Sequence, residues 1–128
     1  MSEQNKRLLS RYVDEVWNEG NPRTIDESFA HDWVGHVPGK ELDGPAQLKE
    51  YVAGLRAAFP HMQYSVEDTI AEGERVGLRW SARDNSRRGS QGNRPSGVER
   101  TITGITFARL ADSKIVESWA ESQTLAVL

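Results

Sequence analysis

Gln63-Tyr64-Ser65-Val66-Glu67-Asp68-Thr69-Ile70, followed by Glu72-Gly73-Glu74 and then Val76 to Arg83, is the stretch on which the fold turns. Tyr64, Val66, Asp68 and Ile70 alternate with Gln63, Ser65, Glu67 and Thr69, the period of two that places successive side chains on opposite faces of a strand. Gly73 between two glutamates supplies a turn, so the whole stretch predicts a β-hairpin.

Upstream of Pro60 the texture is helical. Leu8, Leu9, Tyr12, Val13, Val16 and Trp17 recur at helical spacing, and Gly20 follows as a stop. Pro22 suits the first turn of a short second helix with Ile25 and Phe29 as its buried stripe. Trp33 to Gly44 reads as loop, and Pro45 opens a third helix whose apolar face is Leu48, Tyr51, Val52, Leu55 and Phe59. Downstream, a polar connection from Asp84 to Glu99 leads to a strand from Arg100 to Leu110, a tight turn from Ala111 to Lys114, and a final strand to Gln123. Helices first and antiparallel strands afterwards predict an α+β domain over residues 1–128. Three helices lie on one face of a strongly curved antiparallel sheet, and a pocket can form between the two layers.

The final strand reads Lys114-Ile115-Val116-Glu117-Ser118-Trp119-Ala120-Glu121-Ser122-Gln123. Regular alternation places Ile115, Glu117, Trp119, Glu121 and Gln123 on one face. Acids beside an indole suit the wall of a small-molecule pocket; they equally suit a solvated face carrying one partly buried tryptophan.

Composition removes several classes of function. The 128 residues suffice for one core, and with no cysteine there is no thiolate catalysis, disulfide framework or Cys-based zinc site. Sixteen Lys and Arg against nineteen Asp and Glu leave a net charge of -3, which argues against nucleic acid as a partner despite the local run Arg83, Arg87, Arg88, Arg94 and Arg100. No apolar leader or long apolar span is present, so the expectation is a cytoplasmic protein with no membrane partner. His31, His36 and His61 lack ligand spacing, and no metal is expected.

An ordered set of short motifs resembles one known family. Trp17-Asn18-Glu19-Gly20, His36-Val37-Pro38-Gly39, Ala58-Phe59-Pro60, Ile70-Ala71-Glu72-Gly73, Arg79-Trp80, Pro95-Ser96-Gly97 and Lys114-Ile115-Val116-Glu117 with Trp119 are similar to the SnoaL-like polyketide cyclases, over roughly Lys6 to Gln123. The resemblance implies the nuclear-transport-factor-like cone, a homodimer, and an intramolecular aldol ring closure on an apolar polyketide ester with neither metal nor organic cofactor. The family's Gly-Thr-His triplet falls on Asp84, Asn85 and Ser86, its acid/base aspartate falls on Gln123, and His61 stands where an aspartate is familiar. Other proton-transfer chemistry in the same cone (isomerase, dehydratase, hydrolase or hydroxylase), or ligand binding without catalysis, stays open beside ring closure.

The candidate catalytic residues are therefore Glu121, one pleat from Gln123, Gln123 itself, and His36 in the His-x-Pro segment. Candidate substrate-binding residues are Trp33, Tyr51, Phe59, Arg79, Trp80, Asp84 and Trp119. Glu117 is expected in an ion pair with Arg79 or Arg109.

Overall fold

The computed structural model describes residues 2–84 and 100–122, Arg100 by its backbone alone. Helix α1 (Ser2–Tyr12) runs without a break into a π-helical segment, Val13–Asn18, whose wider turn is closed by Glu19 N–H donating to Asp14 O at 3.2 Å. Gly20, at φ +72°, ends it, and Arg56 Nη1 donates to the terminal carbonyls of Trp17 (2.8 Å) and Asn18 (3.0 Å). Asn18 in turn accepts from Tyr64 N–H and donates to Tyr64 O, which fixes the helix end against the sheet.

Helix α2 (Arg23–Ser28) follows Pro22, and α3 (Gly44–Ala58) carries Pro45 in its first turn. Phe29, expected on the stripe of the second helix, is instead extended (φ −110°, ψ 140°) and begins a strand. The expected loop from Trp33 to Gly44 is largely sheet: β1 (Phe29–Val37) and β2 (Lys40–Asp43) form a hairpin. Its strands have little alternation to betray them, and their partners come from the far end of the chain. The predicted hairpin is present as β3 (Met62–Glu72) and β4 (Arg75–Asp84), with Gly73 at φ +61° in the turn. The sheet continues with β5 (Arg100–Ala111) and β6 (Lys114–Ser122), joined through Asp112 and Ser113, both at positive φ as a tight hairpin turn requires.

Sheet order is β2-β1-β6-β5-β4-β3, antiparallel throughout except that β1 and β6 run parallel. The core between helices and sheet holds Leu9, Val16, Ile25, Val76, Leu110 and Ile115, all fully buried. Among the described residues no helix is long and apolar enough to cross a membrane.

One irregularity decides which side chains face that core. Arg109 pairs with Glu117 and Leu110 with Ile115, so Val116 is an extra residue, a β-bulge, on β6. Ile115 points inward before the bulge, and Ser118, Ala120 and Ser122 point inward after it. Glu117, Trp119 and Glu121 consequently lie on the outer face, the reverse of what regular alternation predicts.

Candidate functional site

A cavity of about 190 Å³ opens between the helices and the inner face of the sheet. Two indoles form much of its sheet-side wall, and each is admitted by a glycine. A Cβ built on Gly35 would fall inside the Trp33 ring, and one built on Gly104 inside the Trp80 ring, so each ring lies flat across a strand that has no side chain there. Trp33 Nε1 donates to Ser118 Oγ and Trp80 Nε1 to Thr106 Oγ1, both at 3.1 Å. These bonds satisfy the two buried donors and fix the planes of the rings.

The helical side contributes Tyr12 and Trp17 from the first helix and Tyr51, Leu55 and Phe59 from α3 with its C-terminal residue, while Tyr64 reaches in from β3. Burial raises the pKa of all three phenols. For Tyr64 the value is pushed up to about 12, by burial first and by neighbouring Tyr51 second, with Arg56 opposing. Tyr12 is raised further by burial and by Tyr51 and Tyr64, against the lowering effect of the hydrogen bond from Trp17. The phenols are therefore neutral donors across the physiological range.

Of the residues expected at a site, Trp33, Tyr51, Phe59 and Trp80 line this cavity together, and His36 borders it. Arg79, Trp119 and Glu121 do not: Arg79 pairs in register with Ile105, and Ile105 with Glu121, on the exposed outer face. Val116 is the physical reason for Trp119 and Glu121, since its bulge rephases the strand. Arg79 alternates with Leu78 and Trp80, which take the inner face of β4. Asp84 ends β4 one pleat beyond Ala82, on the same inward row. Gln123, Ser86 and the polar connection over 85–99 lie outside the described residues. Tyr12, Trp17, Thr106 and Ser118 were not singled out by sequence, because Tyr12 and Trp17 merge with the apolar stripe of helix 1 and small hydroxyls on strands carry no signal.

The outer face holds a different set of groups. Glu117 accepts from Arg109 Nη2 at 3.0 Å and lies 2.8 Å from His36 Nε2, so the expected arginine partner is Arg109. The bond to His36 first and that to Arg109 second hold the Glu117 carboxyl below the usual carboxylate range. The His36 imidazole stacks on Trp119, with centroids 5.5 Å apart and planes 15° from parallel. Ile70, Gly77, Phe107, Trp119 and His36 are consecutive register partners across five strands, and Ile70 (71 % exposed), Phe107 (40 %) and Trp119 (36 %) make this row apolar and open.

Helices laid over a six-stranded sheet around an apolar, aromatic cavity define the class of fold. The chain belongs to the SnoaL-like polyketide cyclase family, whose sequence model matches residues 7–128. Among solved structures it is similar to a protein from Acidithiobacillus ferrooxidans assigned as a polyketide cyclase, at 28% identity and TM-score 0.77 over 97% of this chain and 91% of that one. It is similar to IdmH of Streptomyces antibioticus, assigned likewise, at 26% identity and TM-score 0.80 over 96% and 94%. A SnoaL-like protein from Jannaschia sp. CCS1 shares the fold at 24% identity and TM-score 0.82, over 98% and 90%. No curated protein matches the chain.

Proposed function

We propose that this protein closes a ring in a polyketide-derived substrate by intramolecular aldol addition, without a metal or organic cofactor. The observation that carries the reading is the cavity itself: an enclosed aromatic surface whose polar groups are hydroxyls and indole N–H groups, in a chain of the polyketide cyclase family. Such a surface binds an apolar carbonyl compound in a folded conformation, and folding brings the two reacting carbons together, which removes the entropic part of the barrier. A base removes a proton from the carbon between two carbonyls. The resulting carbanion attacks the receiving carbonyl carbon, a C–C bond forms, and the alkoxide takes a proton back.

The proton acceptor is assigned to Asp84, which extends the inward row of β4 at the cavity's edge; the His36 imidazole is turned away, to Glu117 and Trp119 on the outer face. Incubation with linear and partly cyclised aromatic poly-β-keto methyl esters, followed by mass and absorbance analysis, tests the reading. An isomeric product of unchanged mass, with a hydroxyl in place of the receiving carbonyl, is expected, and its formation is slowed at least about a hundredfold in Asp84→Asn. No product from any such ester contradicts it.

A second reading is ligand binding without catalysis. It is favoured by the absence of any carboxylate among the described residues that line the cavity. Tight binding of these esters with no turnover establishes it.

We also infer that a second copy of the chain covers the outer face, supported by the open apolar row of Ile70, Phe107 and Trp119. Sedimentation is expected to give a dimer that Phe107→Glu dissociates; a monomer in the parent protein contradicts this.

A further inference from the structure

The polar groups of the cavity are not all alike in what they leave unpaired. At the sheet, each indole N–H meets a hydroxyl of the same cavity wall. At the helical end, three phenols gather around Trp17: its Nε1 donates to Tyr12 Oη at 2.9 Å, and its ring stands 6.3 Å from that of Tyr51 and 5.2 Å from that of Tyr64, centroid to centroid. Among the described residues, no acceptor takes the hydroxyl protons of Tyr12, Tyr51 or Tyr64. All three phenols line the cavity and are only partly exposed, so an acceptor that enters with a ligand can take their protons.

The π-helical segment is what builds this end. In an α-helix, residues five apart are rotated by about 500°, or about 140° from eclipsed, so Tyr12 and Trp17 would point to different sides. The wider winding of Val13–Asn18 brings position i+5 over position i, and the indole reaches the phenol. Donation from the indole polarises the Tyr12 O–H and makes it a stronger donor in turn. Since burial keeps all three phenols protonated, the group offers hydrogen bonds and accepts no proton from a substrate.

We propose that Tyr12, Tyr51 and Tyr64, gathered around Trp17, form a donor site for the oxygen of an enolisable carbonyl compound, a 1,3-dicarbonyl above all. The inference rests on the ring-closure reading and specifies how the substrate is recognised. When the proton between the carbonyls passes to the base at the cavity's edge, the electron pair delocalises onto oxygen. Phenol donors in an apolar cavity, Tyr12 among them held by Trp17, then stabilise that charge more than they stabilise the neutral ketone. The substrate enters with its oxygenated end toward the first helix and its apolar body over Trp33 and Trp80.

Calorimetric titration with 2-acetyl-1-tetralone, an aromatic 1,3-diketone, and with 2-ethylnaphthalene, a hydrocarbon of similar size, tests the site. The diketone is expected to bind at least about tenfold more tightly than the hydrocarbon, and Tyr12→Phe to remove about tenfold of its affinity while leaving the hydrocarbon unchanged. Tyr64→Phe is expected to act in the same direction, which keeps the test valid should Tyr12→Phe disturb the helix. Equal affinities for the two ligands, or diketone binding unaffected in both variants, overturns the donor site and leaves the cavity as an apolar binder. Binding of neither ligand overturns the ring-closure reading along with it.

Discussion

The two faces of one sheet divide the chemistry between them. The inner face carries indoles laid over glycines, small hydroxyls on β6 and the neutral phenol of Tyr64 on β3, and it meets the phenols of Tyr12 and Tyr51 from the helical side of the cavity. The outer face carries every charged group that the last strand contributes after its bulge: Glu117, paired with His36 and Arg109, and Glu121. Both sets come from adjacent residues, Glu117 next to Ser118 and Trp119 next to Ala120, and the extra residue Val116 lets Ile115 face the core together with Ser118 and Ala120. A pocket of this kind recognises its ligand by shape and hydrogen-bond donation, with charge kept on the far side.

Deletions in β6 should break this division most severely. Removing Ser118 forces either Trp119 or Glu117 toward the core, and is expected to cost more than about 4 kcal/mol. Removing Val116 only regularises the strand with the same faces in and out, and should cost less than about 2 kcal/mol. Chemical denaturation of the two variants compares them directly, and equal costs contradict the assigned bulge.

A smaller effect separates the faces by pH. The Glu117 carboxyl is held low in the folded chain, so its contribution to stability is fully present above its ordinary value of 4.5 and is lost as pH falls through the lower folded value. A carbon-13 titration should place Glu117 below 4.5, and His36→Ala should move it back upward. Tyr64 gives the opposite sign on the inner face: raised from 10.0 to about 12, it favours the fold below its ordinary value, and that contribution fades as pH climbs through the raised one. Absorbance titration should show its phenolate only in that alkaline range.

The smallest effect belongs to Glu121→Gln. Its side chain is exposed on the outer face, so binding and turnover of an aromatic ester should change less than about twofold, within the scatter of surface substitutions.

Much of this arrangement is legible in the sequence, and the exceptions have physical causes. The hairpin around Gly73, the third helix after Pro45 and the turn at Asp112 and Ser113 follow from local periodicity and turn chemistry, which local sequence encodes. The strands of 29–43 do not, because β1 is completed by a parallel partner some eighty residues later, as in the pairing of His36 with Trp119, and its own residues hardly alternate. Trp33, Tyr51, Phe59 and Trp80 were legible as cavity residues since large aromatics on inward rows have little other place to go. The phase of β6 was not, because a bulge leaves no mark on composition, and the Tyr12–Trp17 pair was hidden because five-residue spacing is meaningless until the helix is known to wind as π.

The four tryptophans provide the most direct measurement of the central claim, that ligands are held on the uncharged inner face: Trp17, Trp33 and Trp80 line the cavity, and Trp119 stands on the outer face. In a proton–nitrogen spectrum of the indole N–H groups titrated with 2-acetyl-1-tetralone, the signals of Trp17, Trp33 and Trp80 are predicted to shift while that of Trp119 stays in place. A shift confined to Trp119 would place the ligand beside Glu117 and His36 and contradict the account.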